Sequence, residues 1–189
     1  MWHISFVSVL YFCLLLIISH QTAISADIIN QTCKKCADES IVFSYEFCSA
    51  SLQEVPESNV TNLQGLGSIA IKLALDNATN TISIIEQLLT NKTLDPFALA
   101  CLEDCSEHYS EAITTLKDSI KIFLEEDYDT ARRLLTVVMT AVTTCEDCFK
   151  DKEGVVSPLE NENYSLFQLS DIALCIVHLL SLVVRSYNQ

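Results

Sequence analysis

The sequence predicts an all-α fold: an antiparallel up-and-down four-helix bundle preceded by a short disulfide-clamped α-helical hairpin. Three observations predict it. Four long stretches repeat apolar residues at steps of three and four, the period of a helix with one buried face. Gly and Pro contribute only three residues each among 189, too few for the many tight turns of a β-fold. Half of the chain is hydrophobic and 19% is charged, so a single domain can bury a core and the chain is not disordered.

Residues Trp2 to Ala26 carry no Asp, Glu, Lys or Arg. An apolar stretch from Phe6 to Ile18, broken only by Ser8, leads to Ser19-His20-Gln21-Thr22 and then to Ala23-Ile24-Ser25-Ala26. Small residues stand where a signal peptidase cuts, so residues 1–26 read as a secretory signal removed after Ser25 or Ala26. The rival reading is a transmembrane anchor, but the run is shorter than the ~20 residues that span a bilayer. Residues 27–189 read as one domain, with the hairpin in 27–56 and the bundle in 62–187.

From Asp27 to about Gln53 the chain is rich in cysteine, with apolar positions scattered between. We read short helices folded back on each other. A piece this small needs a clamp, and Cys33 to Cys48 would be a local one. Glu54 to Thr61, with Pro56, reads as a loop. The first bundle helix spans about Leu63 to Leu89, with Leu63, Leu66, Ala70, Leu73, Thr81, Ile84 or Ile85, and Leu88 on its buried face. Gly65 and Gly67 weaken its first turn, and Asn77 to Thr81 is a place to bend.

The second bundle helix opens with Asp95 as cap and Pro96 in its first position. Its stripe is Ala98, Cys101 or Leu102, Cys105, Tyr109, Ala112 or Ile113, Leu116, Ile120 and Phe123. It ends near Glu125 or Glu126. The third starts near Asp127, buries Tyr128, Ala131, Leu135, Val138, Val142, Cys145 and Phe149, and stops at Gly154. The fourth opens with a capping box, Ser157-Pro158-Leu159-Glu160. Its stripe is Leu166, Leu169, Ala173, Ile176, Leu180 and Val183. The nearly unbroken apolar run Ile172 to Val184 reads as a central, heavily buried helix.

If the leader is removed, Cys13 goes with it and eight cysteines remain: Cys33, Cys36, Cys48, Cys101, Cys105, Cys145, Cys148 and Cys175. An even number in an exported chain suggests disulfides, but roughly a hundred full pairings are open. Cys101 and Cys105 share one face of the second bundle helix, and Cys145 and Cys148 one face of the third. On antiparallel helices Cys105 can meet Cys145 while Cys101 meets Cys148. The remaining pair, Cys36 and Cys175, requires the hairpin to lie against the last helix; the alternative is a buried free thiol at Cys175. Zinc half-sites or redox motifs at the two Cys-x-x-Cys pairs are rival readings. An oxidising export route and the lack of a preceding strand argue against them. Five Asn-x-Ser/Thr sequons, at Asn30, Asn59, Asn77, Asn91 and Asn163, are candidate glycan sites.

The formal charge of −14 argues against a nucleic-acid partner, which needs positive charge, and for a basic or neutral protein surface. Catalytic residues are not evident. Beyond the leader the histidines are His108 and His178, each alone, and no nucleophile elbow, phosphate loop or zinc motif occurs. Glu103, Asp104, Glu107 and Glu111 crowd one helix, and Glu125, Glu126, Asp127 and Asp129 a junction. No Glu-x-x-His pair accompanies them, so they read as a solvated acidic surface, with no metal and no cofactor. The chain reads as one that binds rather than catalyses.

An ordered set of pieces carries a resemblance over essentially the whole chain. They are Thr32-Cys33-Lys34-Lys35, Tyr45-Glu46-Phe47-Cys48, Leu63-Gln64-Gly65-Leu66-Gly67, Asp104-Cys105 followed by Tyr109 and Ala112, Asp127-Tyr128-Asp129, Thr144-Cys145-Glu146-Asp147, and the leucine-rich last helix. With these the chain resembles the plant invertase and pectin methylesterase inhibitor family, and within it the invertase-inhibitor-like members that include plane-tree pollen allergens. The resemblance implies a hairpin disulfide, Cys33–Cys48, and a bundle disulfide, Cys105–Cys145; Cys101 and Cys175 are not family cysteines. It implies a secreted inhibitor, in the apoplast, cell wall or vacuole. Such a protein binds an acid invertase or a pectin methylesterase stoichiometrically and blocks its substrate cleft. For invertase, it implies that a Pro-Lys-Phe triplet at the start of the second bundle helix enters the cleft. The matching positions, after the Asp95 cap, are Pro96, Phe97 and Ala98, where the lysine is missing and the aromatic is shifted by one. For pectin methylesterase, the expected surface is the outer side of the bundle, with Glu103, Glu107 and Glu111. The alternatives are a bundle that has lost inhibition, or a carrier of a small apolar ligand held in a cavity of several hundred Å3.

Overall fold

The structure is a computed structural model that describes residues 6–55, 62–91 and 93–187. Asn59, most of the 54–61 link and residues 1–5 of the expected leader lie outside them. The described chain forms α1 (Phe6–Glu39), α2 (Tyr45–Gln53), α3 (Leu63–Leu89), α4 (Pro96–Leu124), α5 (Tyr128–Lys150) and α6 (Glu160–Tyr187), with no strand among the described residues. In the bundle α3 packs on α4 and α6, and α5 packs on α4 and α6, while the diagonal pairs scarcely touch. Each helix thus lies beside its neighbour in sequence, which is the up-and-down arrangement that short links favour.

The helix ends follow from their side chains. Asn62 Oδ1 accepts the Gly65 amide at 2.8 Å, Asp95 Oδ1 that of Phe97 at 2.8 Å, and Asp127 Oδ1 that of Thr130 at 3.0 Å. Each takes up an amide that the first turn leaves unpaired. Ser157 departs from the expected capping box. Its hydroxyl accepts the Leu159 amide at 3.2 Å but donates to Glu146 at 2.8 Å, and the regular α6 helix begins only at Glu160. Gly154, at φ 82°, shapes the turn after α5 and is not its cap; α5 ends at Lys150, with Asp151 as the cap.

Helix α1 is one helix of 34 residues and does not restart near Ala26. It contains neither Gly nor Pro, so nothing in its backbone breaks it. Its last three turns pair with α2 to form the hairpin. Helix α3 likewise runs unbroken through Asn77–Thr81, where the Thr79 and Thr81 hydroxyls donate back to the Leu75 and Asn77 carbonyls.

The core is continuous from the hairpin through the bundle. On α5 the buried residues are the seven expected ones. On α4 Ser119 is buried in place of Ile120. On α3 the stripe is Leu66, Ala70, Ala74, Ala78, Thr81 and Ile85, while Leu63, Leu73 and Leu88 are half-buried. Small residues there let the neighbouring helices approach. Gly67 takes this furthest: a Cβ on it would lie 2.8 Å from Phe123 Cζ. Helix α6 buries residues from Asn163 to Ser181, but Val183 is 45% exposed because the helix outruns its partners. By length and composition α6 could cross a membrane; here it is the core helix between α3 and α5.

The α4–α5 turn is tight. Glu126 has φ 64°, its amide bonds to Phe123 O at 3.0 Å, and the Asp127 amide bonds to Ile122 O at 3.2 Å. This pair of bonds closes a helix through a left-handed residue, a position where glycine is the unstrained choice. Glu126→Gly is therefore expected to stabilise the fold by up to about 1 kcal/mol, raising the thermal midpoint by a few degrees. Circular dichroism melts of the two proteins check this; an equal or lower midpoint contradicts it.

Candidate functional site

Four disulfides set the geometry. Cys101–Cys148 and Cys105–Cys145 join α4 to α5, with Cα separations of 5.7 and 4.9 Å. Cys33–Cys48 closes the hairpin, and Cys36–Cys175 ties it to α6, at 5.6 and 5.9 Å. Both Cys-x-x-Cys pairs are thereby split between two bridges, which removes them as zinc or redox pairs. Among the described residues no cluster of His, Cys, Asp and Glu is arranged to hold a metal.

Two bridges one turn apart fix the register of α4 against α5. Continued outward, this register sets residue 152 opposite residue 97. There the Lys152 Nζ lies 2.9 Å from Asp95 Oδ1 and 5.5 Å from the centre of the Phe97 ring. The ammonium is thus held by a carboxylate and an aromatic face together. Asp95 and Pro96 are exposed and Phe97 is half-buried. Ala98 is 5% exposed and belongs to the core, which corrects its assignment to a partner-facing site. Its small side chain lies on the inward stripe of α4. Hydrogen bonding by Lys152, then by the Phe97 amide, holds the Asp95 carboxyl below the ordinary carboxylate range.

Glu103, Glu107 and Glu111 are all exposed. Spaced by four, they form an acidic ridge on the outer side of α4. Glu111 also borders a 440 Å3 groove between α4 and α5, where Val137 is 54% exposed. Lys152 and Val137 were not singled out from the sequence. The cysteine pairing, once known, gives the register that places both.

A buried polar network fixes the start of α6. Tyr109 donates to Asn163 Oδ1 at 2.7 Å, and Asn163 Nδ2 donates to Glu146 Oε2 at 2.7 Å. Burial pushes the Tyr109 hydroxyl pKa up, so it stays a donor. Asn163 is 2% exposed with its amide nitrogen engaged, so this structure leaves no room for a glycan there. Asn77 is half-buried, and its nitrogen donates to Ser165 Oγ at 3.2 Å, which opposes modification in the same way. Asn30 and Asn91 are exposed.

The sequence pattern of plant invertase/pectin methylesterase inhibitors matches residues 27–176. The chain belongs to this family. It is 38% identical over 172 residues to a Platanus acerifolia protein named "Putative invertase inhibitor", covering 91% of this chain and 94% of that one. It is 30% identical over 165 residues to a pectinesterase inhibitor of Actinidia deliciosa, covering 86% and 85%. It is 32% identical over 133 residues to the Arabidopsis thaliana cell wall / vacuolar inhibitor of fructosidase 2, covering 70% and 71%. A crystal structure of a mutant form of an Arabidopsis pectin methylesterase inhibitor superposes with a TM-score of 0.67 at 21% identity, over 77% of this chain and 95% of that one; it shares the fold. Within this family fold, the Asp95–Lys152–Phe97 cluster stands at the exposed end of the α4–α5 seam.

Two outcomes are expected. The lowered Asp95 pKa means that its contact with Lys152 is complete above the ordinary aspartate range and is lost only as pH falls through the lowered value. A carboxyl-detected NMR titration should place the Asp95 midpoint below the ordinary aspartate range, and Lys152→Ala should raise it; an unchanged midpoint in the variant contradicts the contact. If the chain is glycosylated, peptide mass mapping of the protein secreted by a plant host should find carbohydrate at Asn30 and Asn91 and none at Asn163. Occupancy at Asn163 contradicts the buried network.

Proposed function

We propose that this chain is a secreted, non-catalytic inhibitor of a plant acid invertase, bound stoichiometrically through the end of the bundle where Asp95, Pro96, Phe97 and Lys152 meet. The observation that carries this reading is the Lys152 ammonium over Phe97. The resemblance calls for a lysine beside a proline and an aromatic residue at the start of the second bundle helix. The helix itself lacks that lysine, and the turn after α5 supplies one at the same place. Asp95 holds it without burying it, so both the ammonium and the exposed Pro96 are available to a cleft. The −14 charge and the Glu103–Glu107–Glu111 ridge would steer a basic enzyme towards the bundle and fit either target.

Two features support export. The segment from Trp2 to Ala26 is free of charged residues, and the family match begins at Asp27. Grooves of 320 to 500 Å3 open at the surface, while large side chains such as Tyr109, Leu116, Phe123 and Leu135 fill the interior. This gives no support to an apolar-ligand carrier.

The test is a paired titration of the oxidised protein against a purified acid invertase and a purified pectin methylesterase. Loss of invertase activity with an end point near one to one is expected, with pectin methylesterase unaffected. Lys152→Ala and Phe97→Ala should each weaken inhibition by about tenfold or more, as loss of a central charged or aromatic contact does. Inhibition of pectin methylesterase alone, or full potency in both variants, would move the interface to the acidic ridge.

A further inference from the structure

The four bridges differ in how a reagent can reach them. Cys33, Cys48, Cys105 and Cys145 have 0% exposure. Cys101 is 1% exposed and its partner Cys148 is half-buried, on the last turn of α5 between Asp147 and Asp151. The carbonyl end of a helix and two carboxylates repel a thiolate there, and the nearby Lys150 and Lys152 are already paired with Asp147 and Asp95. Cys36–Cys175 is different. It lies in the wall of a 320 Å3 cavity that opens between the hairpin turn and α6, together with Ser40, Arg132, Asp171 and His178. Cys36 is 1% exposed and Cys175 is half-buried, so Cys175 is the half that a reagent meets.

The polar groups of this cavity are unequally used. Arg132 Nε and His178 Nδ1 are buried without a hydrogen-bond partner. Asp171 accepts the Ser40 hydroxyl at 2.8 Å. Glu39 and Asp171, both on the wall, are the opposing charges, and what sets this site apart from Cys148 is the unpartnered Arg132 Nε and His178 Nδ1 beside it. An N–H donor with no partner, beside a disulfide in an open cavity, is a place for an incoming anion or thiolate.

We propose that Cys175 is a thiol-exchange site, and that Cys36–Cys175 is the bridge of the four that a small thiol opens first. The thiolate attacks Cys175 Sγ, the Cys36–Cys175 bond breaks, and the electron pair leaves on Cys36 Sγ, which takes a proton from water. The products are a mixed disulfide on Cys175 and a free thiol on Cys36. With a dithiol, the second thiol closes onto the first and releases Cys175 as a thiol, so the reagent is oxidised as the bridge is reduced. The consequence is local. Cys36–Cys175 is the one disulfide between hairpin and bundle. Without it the hairpin turn is held to α6 by the Ser40–Asp171 bond and by Tyr164 and Gln168 donating to Val42 O at 2.9 and 3.0 Å. The bundle keeps both of its own bridges.

The experiment treats the oxidised protein, without denaturant, with rising dithiothreitol, traps thiols with iodoacetamide and maps them by mass. Of the eight bridged cysteines, Cys36 and Cys175 should be alkylated first, at least about tenfold faster than the other six, with unchanged helical circular dichroism. A monothiol, 2-mercaptoethanol, should leave its adduct on Cys175 and not on Cys36. In the Cys36→Ser/Cys175→Ser double variant the early event should vanish while the other three bridges persist. Earlier opening of Cys101–Cys148, simultaneous opening of all four, an adduct on Cys36, or an early event that survives in the double variant each overturns the proposal.

Discussion

The register of α4 against α5 is the constraint on which the rest of the bundle depends. Apolar contact between two antiparallel helices is non-directional and sets their register only through the fit of side-chain shapes. Cys101–Cys148 and Cys105–Cys145 fix that register, since neither bridge can form if the other is displaced by a turn. Everything along the seam then has an address. Lys152 falls beside Phe97 at one end, and Val137 joins Glu111 in a groove further along. The exposed cluster is thus a product of covalent geometry in the core, though none of its own residues is a cysteine.

The fourth bundle helix is fixed on that seam by polar chemistry. Tyr109 from α4, Glu146 from α5 and Asn163 from α6 meet in one buried chain of hydrogen bonds, and Ser157 adds a second donor to Glu146. Buried polar atoms are costly when unpaired, so rotation or slippage of α6 would break several bonds at once. Apolar packing alone would be more forgiving. The same logic makes the hairpin dependent on what it touches. Its residues are too few for an independent core, and its turn docks through Ser40 and the Val42 carbonyl onto α6. Ile41 is fully exposed while Phe43 is buried, so one side of the turn supplies the anchor and the other faces water.

Legibility varied from helix to helix for physical reasons. On α5 all seven expected residues are buried, because they recur at strict steps of three and four while Asp129, Arg133, Thr136, Thr140 and Thr144 mark the opposite side as polar. Helix α3 is apolar on two adjacent sides, where Leu73 and Ala74 are equally plausible inward residues, and it faces α4 and α6 at once. The period could not choose between them; the need for close approach did, in favour of Ala74 and Ala78. Apolar counting also passes over Gln168, Ser170 and Ser181, which are buried on α6. Asn163 carries a sequon, which reads as a surface mark until its amide is seen inside the core.

By itself the sequence determined the four bundle helices, the cap at Asp95, the up-and-down order and the family, because these rest on local periodicity, local hydrogen bonds and order along the chain. Only the tertiary structure decided the rest. It placed Lys152 over Phe97, turned Asn163 into a core residue, and opened a cavity onto Cys175. Each of these depends on side chains far apart in sequence, separated by 57 residues for Asp95 and Lys152 and by 139 for Cys36 and Cys175. No local pattern encodes such a distance; it is set by how the helices pack.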